Sequence, residues 1–372
     1  MNNFTGHENI TGRTSPPGET LREELEKTGF TQRELALRTG RPFKTISEIM
    51  NGKTRITPDT AIQLENVLGV PAGFWLEAES KYREFQARME ENKELVNQVE
   101  LLEDCPLSAL KERGCIPDIR LSAILVKEVI GFYGVNALSQ IDEIYFGGHV
   151  HSHPPIEKAG NRFHLAAWIR QGEIQANPIQ TAPYKEELFR KSLEKVRNPN
   201  GRETGISIHD IHQTFREAGV ALIYIPQYPG CRIDTLVRWL RPDKALIQFG
   251  IPLTAELEFY SSLFHAAVHL LAHSKKKVYL DDFREVTGRD KIDREADIHA
   301  RNLLIPDEEY QQIRADTPLT REKVIRYAHR LQVSPGFIVG RLQQEGIMPK
   351  HWMNYLKKMI TDWDEFGPAT ES

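Results

Sequence analysis

Two histidines one helical turn apart, His265 and His269 in FHAAVHLLAH, are the residues of this 372-residue chain best spaced for metal chemistry. An i, i+4 separation projects two imidazoles from one helix face, and one tetrahedral zinc ion can be gripped by both rings. A second predicted helix, Asp293–Pro306 (DREADIHARNLLIP), can bring a carboxylate, Glu295 or Asp293, to the same ion. Two imidazoles and a carboxylate leave a fourth position for water, which is the arrangement of catalytic zinc. Spacing alone is weak, because His149/His153 and His269/His273 share it. Context separates them. Leu257, Phe264, Val268 and Leu271 give the 265/269 helix a buried stripe, so its rings lie beside core. His149, His151 and His153 alternate as they would on a strand face, but Gly147-Gly148 and Pro154-Pro155 around them read as a solvent loop. His273 reads either as a partner to the pair or as a core residue that hydrogen-bonds locally, rather than as a ligand.

The other chemistry-bearing stretch lies near the N-terminus. Thr31-Gln-Arg-Glu34 is a capping box that starts a helix running to about Thr39. Gly40 supplies a turn, and Pro42 suits the first position of the next helix. Ile46, Ile49 and Met50 share one face of that helix, and Asn51-Gly52 ends it. Thr57-Pro58 opens a third helix, with Ile62, Leu64 or Glu65, and Leu68 expected inside. Two short helices with a Gly turn fit a major-groove reader. Between Arg38 and Arg55 five basic residues face one acid, Glu48, in a chain whose formal net charge is −4. Lys53 and Arg55 are placed for phosphates, which position without specifying. Lys44, Thr45 and Ser47 are the candidates for base edges, and Gln32 is a further DNA-binding candidate.

The elements that must position these side chains divide the chain into five stretches. Residues 1–18 read as a flexible polar tail, 19–80 as the helix-turn-helix unit, and 81–160 as a charged helical connector. Residues 161–317 hold the histidine helix with a small sheet, and 318–372 are a helical segment. Val220–Ile225, Ala245–Phe249 and Val278–Leu280 are short apolar runs suited to buried strands. The expected class is therefore mainly α with a small β-sheet. No run approaches ~18 uninterrupted apolar residues, so no transmembrane helix and no membrane partner are expected. Residues 1–17 lack the apolar block of a signal peptide. Three cysteines, Cys105, Cys115 and Cys231, form no CxxC pair and fit reduced thiols in a cytoplasmic protein.

LREELEKTGFTQRELALRTGRPFKTISEIMNGKTRITPDTAIQLENVLGVPAGFW resembles the Cro/repressor-type helix-turn-helix family and, within it, HigA-like antitoxins. That resemblance implies binding to operator DNA as a homodimer. FHAAVHLLAHSKKKVYLDD and DREADIHARNLLIP, preceded by YIPQYPGCRIDTLVRWLRPDKALIQF and followed by LQVSPGFIVGRLQQEGIMP, resemble the ImmA/IrrE family of zinc metallopeptidases. The resemblance runs over about residues 163–349 and implies that His265 and His269 bind zinc. It puts Glu295 in the third-ligand place, with Asp293 as runner-up.

The departure from that family is Ala266. The family motif is HExxH, whose Glu takes a proton from zinc-bound water and returns it to the leaving amine. Losing a positioned acid–base group costs ~10²–10⁴-fold in rate, and the neighbours Ala267 and Val268 supply no substitute. The expected protein is a regulator fused to a zinc endopeptidase that cleaves a repressor or antitoxin, with its own DNA-binding half as one candidate substrate. As written the chain binds zinc and cleaves little or nothing. Ala266 reads as an inactivating substitution or, alternatively, as the mark of a natural pseudo-peptidase. The competing class is a HigA-like antitoxin or transcription factor, with a cognate toxin as partner, whose second domain senses or binds without chemistry.

Overall fold

The computed structural model describes residues 15–197, 207–282, 288–316 and 318–360. It forms two compact units, Met1–Asn97 and Gln98–Ser372.

The first unit is helical: α1 (Pro17–Thr28), α2 (Gln32–Thr39), α3 (Phe43–Met50), α4 (Pro58–Leu68) and α5 (Ala72–Asn97). Local caps set their starts. The Thr31 hydroxyl accepts from the Glu34 N–H at 3.2 Å, and the Thr57 hydroxyl accepts from the Thr60 N–H at the start of α4, with Pro58 in its first turn. The capping box is half made, because the Glu34 carboxylate pairs with Arg38 instead of reaching back. Gly40 takes φ 67°, the left-handed turn expected of it. Leu21, Leu35, Ile46, Ile49, Leu64 and Trp75 make one buried cluster. Ile62 lies outside that cluster at the exposed surface, because Thr60, Ala61 and Leu64 form the inner face of α4. Residues 1–14 of the expected tail lie outside the described residues. Pro17 and Gly18 already belong to α1, and a Cβ on Gly18 would meet the Met50 carbonyl oxygen at 2.4 Å.

The second unit contains α6 (Leu107–Glu112), α7 (Ala123–Tyr133), α8 (Ile141–Phe146), β1 (Val150–His153), α9 (Arg162–Ala176), α10 (Glu186–Arg197) and α11 (Ile208–Glu217). It continues through β2 (Val220–Tyr224), β3 (Thr235–Arg241), β4 (Lys244–Phe249), α12 (Glu256–Ala272), β5 (Val278–Asp281), α13 (Lys291–Leu304), α14 (Asp307–Ala315), α15 (Arg321–Leu331) and α16 (Pro335–Gln344). The five strands form one mixed sheet in the order β1-β5-β3-β4-β2. The β1/β5 and β2/β4 pairs are parallel, and β3 is antiparallel to both its neighbours. The mainly α architecture with a small sheet is as expected.

The helix α12 runs through the core rather than along its edge. Phe259, Leu263, Phe264 and Leu270 pack in one cluster with Leu222, Ile247 and Phe249 of the sheet and with Phe337 and Leu342 of α16. Each such fully buried side chain contributes about 1.5–3 kcal/mol of transfer free energy. The expected boundary at 80/81 falls inside α5, whose spaced Glu/Lys and Glu/Arg pairs carry one helix on to Asn97. The expected boundary at 160/161 separates β1 from the sheet it belongs to.

Two strands were not anticipated. The central strand β3 (TLVRWLR) contains arginines, but Arg238 is neutralised by Glu173 at the sheet surface. The edge strand β1 was expected to be a solvent loop. Its parallel pairing with β5 supplies its backbone partners, and His153 is buried.

Candidate metal centre

The centre is assembled where α12 crosses β5. Helical period places His265 and His269 on one face of α12, and their Nε2 atoms lie 3.0 Å apart. Both residues are 1% exposed. Asp281, the last residue of β5, also 1% exposed, points its carboxylate at them. Its Oδ1 is 3.6 Å from His265 Nε2, and its Oδ2 is 3.4 Å from His269 Nε2. Among the described residues, neither oxygen has a partner in hydrogen-bond geometry. A buried carboxylate left so is expensive unless a cation or donor fills the gap.

The outer ring nitrogens are held from behind. His265 Nδ1 faces Asp297 Oδ1 at 2.8 Å, and Arg289 grips the same oxygen at 2.5 Å. Asp297 can only accept, so the Nδ1–H of His265 donates to it and the Nε2 of that ring is directed inward. His269 Nδ1 faces His273 Nδ1 at 2.8 Å, and Tyr279 stacks on the His269 ring at 4.3 Å between centroids. Burial lowers the pKa of His273 to about 4, so it is neutral and can accept from His269.

The electrostatics set positive charge at the imidazoles against the Asp281 anion. Burial opposes charging His265, but Asp281 and Asp297 outweigh it and push that imidazole up to about 9. Burial takes His269 downward. Burial also works against the Asp281 anion, but the two imidazoles hold its carboxyl well below the usual range. Two borderline nitrogen donors, one buried carboxylate, and second-sphere contacts behind both rings fit a zinc-class dication.

Glu295 is not part of this convergence. It sits on α13, whose buried face is Asp293, Ala296, Ala300 and Leu304, with Asp297 beside it. Glu295 lies on the other side, its side chain 48% exposed and paired with Lys291 at 3.7 Å. Two residues along a helix is a rotation of about 200°, so Asp293 and Glu295 cannot share a face. Asp293, the runner-up, is buried and turns toward β1, where its Oδ1 is 2.7 Å from His151 Nε2. His151 and His153 stand in register with Tyr279 and Asp281, which brings the unexpected strand to the edge of the centre. Ala266 is fully buried in the apolar cluster and offers no acid–base group.

The sequence reading missed Asp281. It lay within the quoted VYLDD segment, and a strand ending in a carboxylate directly after the histidine helix was the available signal.

In the first unit, Ile46, Ile49 and Met50 are buried, while Lys44 is exposed and Thr45 and Ser47 are half-buried on the remaining surface of α3. Lys44 stands 3.8 Å from Glu48. Lys53 and Arg55 are exposed in the segment after α3, and Gln32 is half-buried at the first position of α2.

Comparison with known proteins divides along the same line. Residues 21–75 match the helix-turn-helix family model, and residues 254–343 match the IrrE N-terminal-like domain model of the M78 peptidase family. No curated protein matches the chain. Among solved structures, an addiction module antidote protein of the HigA family from Coxiella burnetii is 32% identical, covering 22% of this chain and 90% of that one, with a TM-score of 0.21. Antitoxin HigA of Pseudomonas aeruginosa, solved with the higBA promoter, is 29% identical over 22% of this chain and 89% of its own, with a TM-score of 0.21. Antitoxin GraA is 28% identical over 23% and 94%, with a TM-score of 0.22. No described helix is long and apolar enough to cross a membrane. The chain therefore belongs, through residues 21–75, to the helix-turn-helix DNA-binding proteins, and it carries an IrrE-like peptidase-family domain in its second unit.

Proposed function

We propose that this protein is a cytoplasmic DNA-binding regulator whose second unit is a zinc-holding, peptidase-like domain that lacks the group needed for turnover. The observation that carries this reading is the convergence of His265 Nε2, His269 Nε2 and the unpartnered Asp281 carboxylate on one buried point. His265, His269 and Asp281 would hold the ion. Bound there, zinc supplies Lewis acidity and lowers the pKa of a water ligand. Asp297 and His273 orient the two rings, and the surrounding apolar cluster keeps bulk water from them. Position 266 would have to accept the proton of the attacking water and return it to the leaving amine, and an alanine does neither. A chain with Glu at 266 is expected to cut a peptide bond in a repressor or antitoxin. The first unit binds an operator as a homodimer, with Lys53 and Arg55 on phosphates and Gln32, Lys44, Thr45 and Ser47 toward bases.

Purified protein should contain zinc that is lost in His265→Ala. Ala266→Glu, incubated with zinc and a panel of repressors including the chain itself, should produce cuts that the unaltered chain does not. Absence of zinc overturns the metal reading, and absence of cleavage by the Glu variant overturns the peptidase lineage of the site.

A second reading is favoured by the antitoxins aligned with the first unit, at 28–32% identity. In it the protein is an antitoxin-like repressor whose second unit binds a cognate toxin or senses metal without chemistry. Co-purification of a small toxin, and no cleavage by Ala266→Glu, would favour it.

A further inference from the structure

We propose a second divalent-cation site beside the first, formed by His151 of β1 together with Asp290 and Asp293 at the start of α13. It adjoins the zinc-holding centre proposed above but uses none of its three ligands. One donor atom from each of the three residues lies within 4.8 Å of the others. His151 Nε2 is 2.7 Å from Asp293 Oδ1, and His151 Nδ1 is 3.8 Å from Asp290 Oδ2. His153 adds a second ring at the rim, its Nδ1 3.8 Å from Asp293 Oδ2.

The backbone prepares this arrangement. Asp290 caps α13, its Oδ1 accepting from the Asp293 N–H at 3.0 Å, which leaves Oδ2 turned toward His151. The parallel β1/β5 register sets His151 and His153 beside Tyr279 and Asp281.

Charge points the same way. Asp281 and Asp293 are each 1% exposed, and Asp293 stands 2.7 Å from His151 Nε2 and 3.8 Å from His153 Nδ1. Asp281, whose oxygens have no hydrogen-bond partner among the described residues, stands in register with His153. A buried carboxylate is costly without cationic charge beside it. One dication at His265 and His269 faces Asp281, whereas Asp293 is drawn aside to His151. The ring centroids of His151 and His269 are 6.5 Å apart, so the two groups share a wall without sharing donors. One imidazole and two carboxylates suit a borderline first-row dication, with water completing its sphere. Asp290, 53% exposed, leaves that side open for entry.

The test uses the full chain, stripped with a chelator, reloaded with excess Zn²⁺, desalted and assayed for metal per chain by mass spectrometry. The unaltered chain should hold two ions. His151→Ala should hold one, and His265→Ala/His269→Ala should hold the other one. Asp290→Asn keeps a competent helix cap and should weaken the second ion at least about tenfold in chelator competition, leaving the first unchanged. One ion in the unaltered chain that persists in His151→Ala, two persisting in His151→Ala, or loss of both in the double variant overturns the proposal. A single ion lost in His151→Ala but retained in the double variant would instead sink the His265/His269/Asp281 centre and leave this second site standing.

Discussion

The sharpest expectation concerns which carboxylate completes the zinc centre. Asp281→Asn removes one negative charge 3.4–3.6 Å from two imidazole nitrogens and leaves the shape of the side chain nearly unchanged. Opposite unit charges about 4 Å apart attract by about 4 kcal/mol at an effective dielectric near 20. The neutral amide recovers part of this as a weak oxygen ligand, so a net loss of about 3 kcal/mol is expected, close to a 100-fold rise in the zinc Kd. Glu295→Gln alters an exposed group paired with Lys291 and should leave that Kd within about twofold. Competition against a chromophoric chelator reads both variants directly. Thermal unfolding gives an independent readout, since zinc at 1,000 times its Kd stabilises by about 4 kcal/mol and most of that gain should vanish in Asp281→Asn. If Glu295→Gln loses zinc as strongly as Asp281→Asn, or Asp281→Asn binds as the unaltered chain does, the placement of the third ligand on β5 is refuted.

Other expectations follow from single contacts. Lys53→Ala and Arg55→Ala should each weaken operator binding across all sequences and lower the log–log salt slope by about 1 in gel-shift titrations, without changing base preference. Ser334→Ala removes the hydroxyl that donates to the buried Glu256 carboxylate at 2.7 Å and should cost about 1–3 kcal/mol in urea unfolding. His212 is pushed down to about 4 by burial, so the unfolded chain, titrating at the ordinary 6.5, binds a proton there more readily than the folded one. Its contribution is therefore fully present above pH 6.5 and is lost as pH falls toward 4, at up to about 1.4 kcal/mol per pH unit. In His212→Gln the fall in stability between those pH values should be shallower, and an identical slope in both chains would count against the assignment.

The parts of this molecule that were legible before folding are those governed by local period. An i, i+4 pair shares a helix face wherever the helix packs, so the convergence of His265 and His269 follows once α12 exists. The helix-turn-helix is equally local, since Thr31, Gly40, Pro42 and Thr57 act on neighbours a few residues away. The same period could have turned Glu295 away from α12, because Asp293, Ala296 and Ala300 already define the buried face of α13. Long-range partners were another matter. Asp281 meets the imidazoles because β5 is held between β1 and β3 in the sheet, and His151 meets Asp293 because β1 pairs in parallel with β5. A glycine- and proline-flanked histidine run carries no local signal for that pairing. Which strand lies beside which is chosen by the packing of the whole unit, since each distant pairing must offset its loop-closure entropy with burial elsewhere. The sequence by itself thus determined the ring pair and the DNA-reading helices, whereas tertiary structure decided which carboxylates stand beside the rings.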